Sequence, residues 1–307
     1  MEKMDSKRAG LLKKHGLSDT WVSVLLLVPS LAIVGGVLLY PLIDAFRISF
    51  TSLNLIGFKG KFVGFRNYAA IFQSTLYQTV LINTLVISTV AVAIRFIIGM
   101  GLALVINRTF KGKTIVRGLL ILPWLIPSVV VGILWMWMLD TDIGIVNYFL
   151  VASGLVSIKI PWLADNFFSK VAVIIAFVWT GTPFIMVVML AGLQAIPHEI
   201  VESATTDGAG RFAIFRFITL PYLRSLIAIS TLLSIVYIFQ NFAVIYMLTK
   251  GGPGYATEIF SLFVYEMAFN SGRLGRASAI GVTWMILLLA FSIVYIRLIA
   301  GREQTLR

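Results

Sequence analysis

The chain has 307 residues, a formal net charge of +12 and no cysteine, with 59% hydrophobic and 12% charged residues. A soluble domain carries about 25% charged residues, so this composition, with a mean hydropathy of +0.96, excludes an ordinary soluble enzyme and indicates a polytopic all-α membrane protein. The missing cysteines exclude disulfides, thiolate metal sites and cysteine nucleophiles, and basic residues clustered between apolar runs, with no single polar face, argue against a nucleic-acid partner.

A span needs about 20 apolar residues to cross a ~30 Å hydrocarbon layer. Six segments meet that length, approximately 21–43, 80–106, 115–139, 170–193, 220–248 and 275–299. The first is too long for the apolar region of a signal peptide and no small-residue cleavage pattern follows it, so it is expected to stay as an anchor. Residues 44–79 form the longest external connection, with an interfacial amphipathic piece expected in FVGFRNYAAIFQSTLYQ. In the third span Pro123 and Pro127 remove two helix donors and are expected to bend or break its cytoplasmic half, which membranes tolerate only beside protein or a cavity. Trp135 and Trp137 are expected in an interfacial belt. His15 and His198 lie in polar flanks without ligand partners at metal spacing, so no metal site is expected.

Fifteen Lys and Arg residues fall on the side of the amino end, the 107–117 loop, the 194–219 loop and the tail, against nine on the other side. The positive-inside rule therefore places both termini and the 194–219 loop in the cytoplasm. The expected organisation is a cytoplasmic segment 1–20, one six-span domain 21–300 and a cytoplasmic tail 301–307.

Residues 202–221, ESATTDGAGRFAIFRFITLP, are polar and glycine-punctuated between two apolar runs. Their spacing is E-A-A, three residues, G, nine residues, I-x-L-P, carried by Glu202, Ala204, Gly208, Ile218, Leu220 and Pro221, with Ser203 at the second position. The segment resembles the coupling loop of permease subunits in binding-protein-dependent ABC importers. FVGFRNY at 62–68, LPWLIPSVV at 122–130, GLQAIPHEIVESATTDGA at 192–209 and the stretch 237–269 are similar to sugar-type permeases of the maltose and glycerol-phosphate family, so the resemblance covers roughly residues 20 to 300. It implies six transmembrane helices in the type I importer permease fold, the shorter form without the two additional spans and large external domain of the maltose subunit. It also implies that Glu202, Ser203, Ala204, Asp207, Gly208 and Ala209 couple the chain to a nucleotide-binding subunit. Glycines let the loop form two short helices, because Gly at a helix end accepts positive φ. Pro221 suits the first turn of the next span.

The chain has no G-x-x-x-x-G-K-[ST] phosphate cradle, so ATP and Mg are expected on a separate ATP-binding subunit dimer and no cofactor on this chain. The resemblance further implies a second homologous permease subunit, an external solute-binding protein and a bacterial or archaeal inner membrane. Arg95 is the one formal charge well inside a span, and its burial costs about 2.5–3.5 kcal/mol on insertion scales. Pairing across a subunit interface and lining of the pathway are both open to it, through a partner chain or a backbone carbonyl. For a carbohydrate pocket the resemblance points to Thr180, Gly181 and Phe184 in the fourth span and to Ser234, Tyr237 and Asn241 in the fifth, the last three on one helical stripe. Ile238 stands where the maltose relative has a polar residue. Small and polar residues packing helix against helix would give the same pattern. The expected function is the transmembrane subunit of an ATP-driven carbohydrate importer, a transport subunit without bond chemistry of its own. The alternatives are an importer of another small solute and an ion-coupled carrier, which would want acidic mid-span residues that are absent here.

Overall fold

The computed structural model describes residues 19–304; Lys3, Lys7, Arg8, Lys13, Lys14, His15 and Arg307, which entered the reading of charge and topology, lie outside them. Among the described residues the chain is helical, with a single isolated bridge between Thr51 and Phe62. Five helices are long and apolar enough to cross a bilayer: Ser23–Ser49, Thr75–Ile106, Asn166–Gln194, Arg211–Gln240 and Leu274–Arg297. A sixth span is split, with Lys113–Leu125 and Ser128–Met138 meeting at a bend of 97°. In chain order these are spans 1 to 6, the split one being span 3.

The break in span 3 follows from the two prolines. Pro123 stays inside its helix, whereas Ile126 and Pro127 are extended, with ψ of 128° and 139°. A proline pushes the residue before it out of the α region, so the helix stops at Leu125 and restarts at Ser128.

Span 5 departs from expectation at both ends. It begins at Arg211, so the second of the two expected short helices is the first turn of a long one. Pro221 falls in the first turn of the α-helical stretch Leu220–Gln240, as expected, but that stretch continues from the turn before it, to which Pro221 cannot donate. A wider π turn over Phe215–Thr219, in which Leu220 N–H reaches the Phe215 carbonyl, precedes it and accommodates the change. At the other end the expected continuous segment 220–248 is interrupted at Asn241 (φ −82°, ψ 80°), and a separate helix, Phe242–Leu248, follows. Hydropathy counts apolar residues and is blind to this break.

Trp135 and Trp137 also separate. Two residues on a helix point to nearly opposite sides, and Trp135 packs edge-on against Trp179 at 5.8 Å while Trp137 is 68% exposed. Trp135 thus packs partly into the first core cluster, whereas Trp137 faces outward.

Buried side chains form three clusters. Ile87, Val92, Phe177 and Ile238 belong to one, Met100, Ile185, Met189 and Leu223 to a second, and Tyr77, Val80, Phe260 and Ile280 to a third. Spans 2 and 4 form the common wall of the first two. Gly99 makes their approach possible, since a Cβ there would lie 2.8 Å from Ile185 Cβ. The second half of span 3 sits as closely on the Phe242–Leu248 helix, where a Cβ on Gly132 would lie 2.6 Å from Met247 Cβ. The most apolar window of span 1 buries nothing within this chain.

Buried amides tie the connecting loops to this bundle. Asn67 donates to the carbonyls of Ser49 and Thr51, both at 2.8 Å. Asn147 donates to the Ile160 carbonyl at 2.9 Å and accepts from Trp162 Nε1 at 3.1 Å. Asn83 of span 2 donates to the carbonyls of Tyr255 and Glu258. Beside that tie the Glu258 side chain is 2% exposed, and among the described residues its Oε1 has no hydrogen-bond partner. Burial, with the negative charge of Glu266 adding to it, raises its pKa from 4.5 to about 7.

Two expectations follow. Gly99→Val should overpack the contact between spans 2 and 4 and cost about 1–3 kcal/mol, lowering the thermal midpoint in detergent. Gly101→Val should leave it unchanged, because a Cβ at Gly101 meets nothing within 4 Å. Between pH 4.5 and about 7 native Glu258 keeps a proton that the unfolded chain has released. Stability should therefore fall as pH rises through that window. Glu258→Gln should flatten the dependence, as read from thermal midpoints at pH 5 and pH 8.

Candidate functional site

A cavity of about 240 Å³ opens where spans 2, 4 and 5 meet the break in span 3. It is lined by Arg95, Trp124, Thr180, Gly181, Phe184, Leu233, Ser234 and Tyr237. Small-molecule sites usually enclose about 300–1,000 Å³. One chain therefore offers a wall and not a complete enclosure.

Five of the six residues proposed for substrate contact meet here: Thr180, Gly181 and Phe184 from span 4, and Ser234 and Tyr237 from span 5. Asn241 does not join them, because the helix that would extend the stripe ends at Gln240. It caps the next helix instead, its Oδ1 accepting from Val244 N–H at 3.2 Å, while its Nδ2 donates to Ser128 Oγ at 3.4 Å. Ser128 Oγ in turn lies 3.5 Å from Tyr237 Oη. The first residue after the break in span 3 thus touches both the cavity wall and the break that ends span 5. Ile238 is fully buried in the first cluster and faces away from the cavity.

Arg95 enters from span 2. Its side chain is 1% exposed, and Nε donates to the Phe177 carbonyl at 2.8 Å. The guanidinium carbon sits 6.0 Å from the ring centre of Phe177 and 5.8 Å from that of Tyr237, within cation–π range. Within this chain, then, a backbone carbonyl and two ring faces hold the charge. Gly181 provides the room, since a methyl group there would overlap Arg95 Cζ and Nε.

Trp124 and Leu233 also line the cavity and carry no signal of their own in the sequence. Trp124 packs on Phe184 with ring centres 5.8 Å apart. The one available clue was its place between Pro123 and Pro127, since an aromatic at a broken span faces protein or a cavity.

The candidate coupling element lies at the far end of span 4. The helix His198–Thr206 has no buried residue. Glu202, Ser203, Asp207 and Gly208 are exposed, and Ala204 and Ala209 are half-buried. Gly208 has φ +86°. Its N–H bonds to the Thr205 carbonyl at 3.0 Å and the Ala209 N–H to the Ala204 carbonyl at 2.9 Å, the paired bonds of a Schellman motif. Val201 and Phe215, before and after this turn, both pack on the second core cluster. The exposed helix is thereby fixed to spans 4 and 5.

The model of the family described as "Binding-protein-dependent transport system inner membrane component" matches residues 95–303. The trehalose/maltose transport system permease protein MalF of Thermococcus litoralis is 34% identical over 295 residues, covering 96% of this chain and 98% of that protein. The sulfoquinovosyl glycerol transport system permease protein SmoG of Agrobacterium fabrum is 31% identical over 288 residues, covering 94% and 93%. A chain in the crystal structure of a bacterial ABC transporter involved in the import of the acidic polysaccharide alginate matches with a TM-score of 0.79 at 25% identity, covering 92% of this chain and 96% of that one. A second structure of a bacterial alginate ABC transporter, in complex with an alginate pentasaccharide-bound periplasmic protein, matches with a TM-score of 0.78 at 25% identity. The chain belongs to this family. It is a multi-pass permease subunit of an ABC importer with the type I fold, a transport component and not an enzyme.

The turn at Gly208 yields a direct expectation. An L side chain in the left-handed region costs about 1–2 kcal/mol, so Gly208→Val should distort the end of the exposed helix while membrane insertion stays intact. Transport by the assembled complex should be lost in Gly208→Val and largely kept in Gly208→Asn, whose side chain tolerates that conformation. Uptake at the parental rate by the valine variant would remove the coupling assignment.

Proposed function

We propose that this chain forms half of the translocation path of an ATP-driven carbohydrate importer, completed by a second homologous permease. The observation that carries the reading is the cavity wall itself. Aromatic side chains of Trp124, Phe184 and Tyr237 and the hydroxyl-bearing residues Thr180, Ser234 and Tyr237 line one space between helices. A pyranose presents apolar C–H faces and hydroxyl edges, and such a wall complements both. Relatives named for trehalose and maltose and for sulfoquinovosyl glycerol, and structures of alginate importers, support a carbohydrate as the solute. The alginate complex with its periplasmic protein supports delivery by an external solute-binding protein.

In this reading the exposed helix His198–Thr206 docks on one member of a pair of ATP-binding subunits, which bind ATP and Mg, while this chain binds neither. Glu202, Ser203, Ala204, Asp207, Gly208 and Ala209 form the docking element, and closure of the ATPase pair moves it as a rigid piece. Both termini and this element lie in the cytoplasm, as the excess of basic residues on that side requires. The chain spans the inner membrane of a bacterium or archaeon, in contact with lipid. The most apolar stretch of span 1, bare within this chain, packs against the second permease or lipid.

The test is reconstitution. Vesicles holding this chain alone should neither hydrolyse ATP nor accumulate labelled maltose, trehalose or uronate-containing oligosaccharides. Vesicles holding the second permease, the ATP-binding subunits and the binding protein as well should accumulate one of these solutes only when ATP is supplied. Uptake by the chain alone under an ion gradient would instead establish a secondary carrier.

A further inference from the structure

The cavity wall bears one formal charge, Arg95, and among the described residues nothing acidic answers it. No Asp or Glu lines the cavity, and the ion pairs seen involve Arg47 with Asp44 and Lys159 with Asp142. The Nε donor of Arg95 is used on the Phe177 carbonyl, whereas its Nη2 is buried without an acceptor. The Ser234 hydroxyl of span 5, another residue lining the cavity, is likewise buried without a partner among the described residues. A buried polar atom left unsatisfied is costly, more so when it is charged, and cation–π contact returns only about 0.5–2 kcal/mol. A residue kept solely for packing would be better served by Leu or Met at this position. Gly181 keeps the space that the guanidinium occupies, so span 4 is shaped around the charge.

We propose that the transported carbohydrate carries an anionic substituent, a carboxylate, sulfonate or phosphate, and that Arg95 is its ligand in the cavity. The guanidinium fork offers parallel donors matched to such oxyanions. Nη2 of Arg95 donates to the oxyanion, the Ser234 hydroxyl donates from span 5, and the rings of Trp124 and Tyr237 take the sugar's apolar face. Arg95 is thus a specificity-determining residue that selects charged over neutral sugars. The proposal rests on the reading of this cavity as part of the translocation path, and the experiment separates the two.

Because the chain has no native cysteine, Leu233→Cys places a single reporter on the cavity wall in the assembled transporter. Its labelling by a small water-soluble thiol reagent should change between the nucleotide-free and ATP-bound states, which tests the path. Protection is then titrated with a disaccharide, its uronate, its sulfonate and its phosphate ester. At least one anionic form should protect at a concentration lower than the neutral sugar by about tenfold or more, the scale of one hydrogen bond to a charged group. Arg95→Gln should erase that preference, and Arg95→Lys, which keeps the charge but not the fork, should retain part of it. Should Arg95→Gln fail to assemble, Gly181→Ala displaces the guanidinium without removing it and should lower the preference in the same direction. Equal protection by neutral and anionic sugars, with labelling still responsive to nucleotide, would overturn the proposal and leave the path reading standing. Labelling insensitive to nucleotide and to every sugar would overturn both.

Discussion

The organisation of this permease depends on how closely spans 2 and 4 approach. Two glycines set the distance: Gly99 on span 2 receives Ile185, and Gly181 on span 4 receives Arg95. The first contact is apolar and joins the second core cluster, whereas the second buries a guanidinium beside the first cluster. The same two helices therefore supply tight packing in one half and a charged cavity wall in the other. Lower down span 4, Gly192 admits Leu223 and Leu226 of span 5. Span 4 thus holds both the wall and the base of the coupling element in register.

Span 5 links these two regions mechanically. It runs without a break over 30 residues, Arg211–Gln240, roughly 45 Å at 1.5 Å per residue. Its first turn follows the Gly208 corner, and its last turns carry Ser234 and Tyr237. In the proposed function, a displacement of the exposed helix His198–Thr206 would be delivered along this one element to the cavity. The π turn at Phe215–Thr219 and the stop at Asn241 are its two irregularities, and such irregular points are where helices change direction. The second of them touches the break in span 3 through Ser128. Cavity, break and cap form one hydrogen-bonded corner.

Much of the architecture is legible before any coordinates. Length and hydropathy locate the six spans because the bilayer demands about 20 apolar residues from each. Pro127 marks a break because its ring forbids the helix to continue through Ile126. The glycine at 208 reads as a helix end because only that residue takes a left-handed turn freely, and the E-A-A spacing fixes which loop carries it. The failures are equally physical. Asn241 looks like a third residue on a stripe only while the helix is assumed to continue, and hydropathy stays high across a break whose cause is an amide cap. Trp135 and Trp137 look alike by composition, although which of them packs inward depends on which face of the helix meets Trp179.

The sequence by itself determines that this chain spans a membrane, and its spaced loop motif resembles that of importer permeases, since apolar lengths and motif spacing are local properties of the chain. It also shows that one arginine lies inside a span. What that arginine faces is decided only by tertiary structure, because its surroundings come from residues 82 positions away at Phe177 and further still at Ser234 and Tyr237. Desolvation makes a buried charge depend wholly on those distant neighbours, and no local pattern encodes them. The fold brings a carbonyl, two ring faces and a cavity to the guanidinium, and leaves one of its donors free.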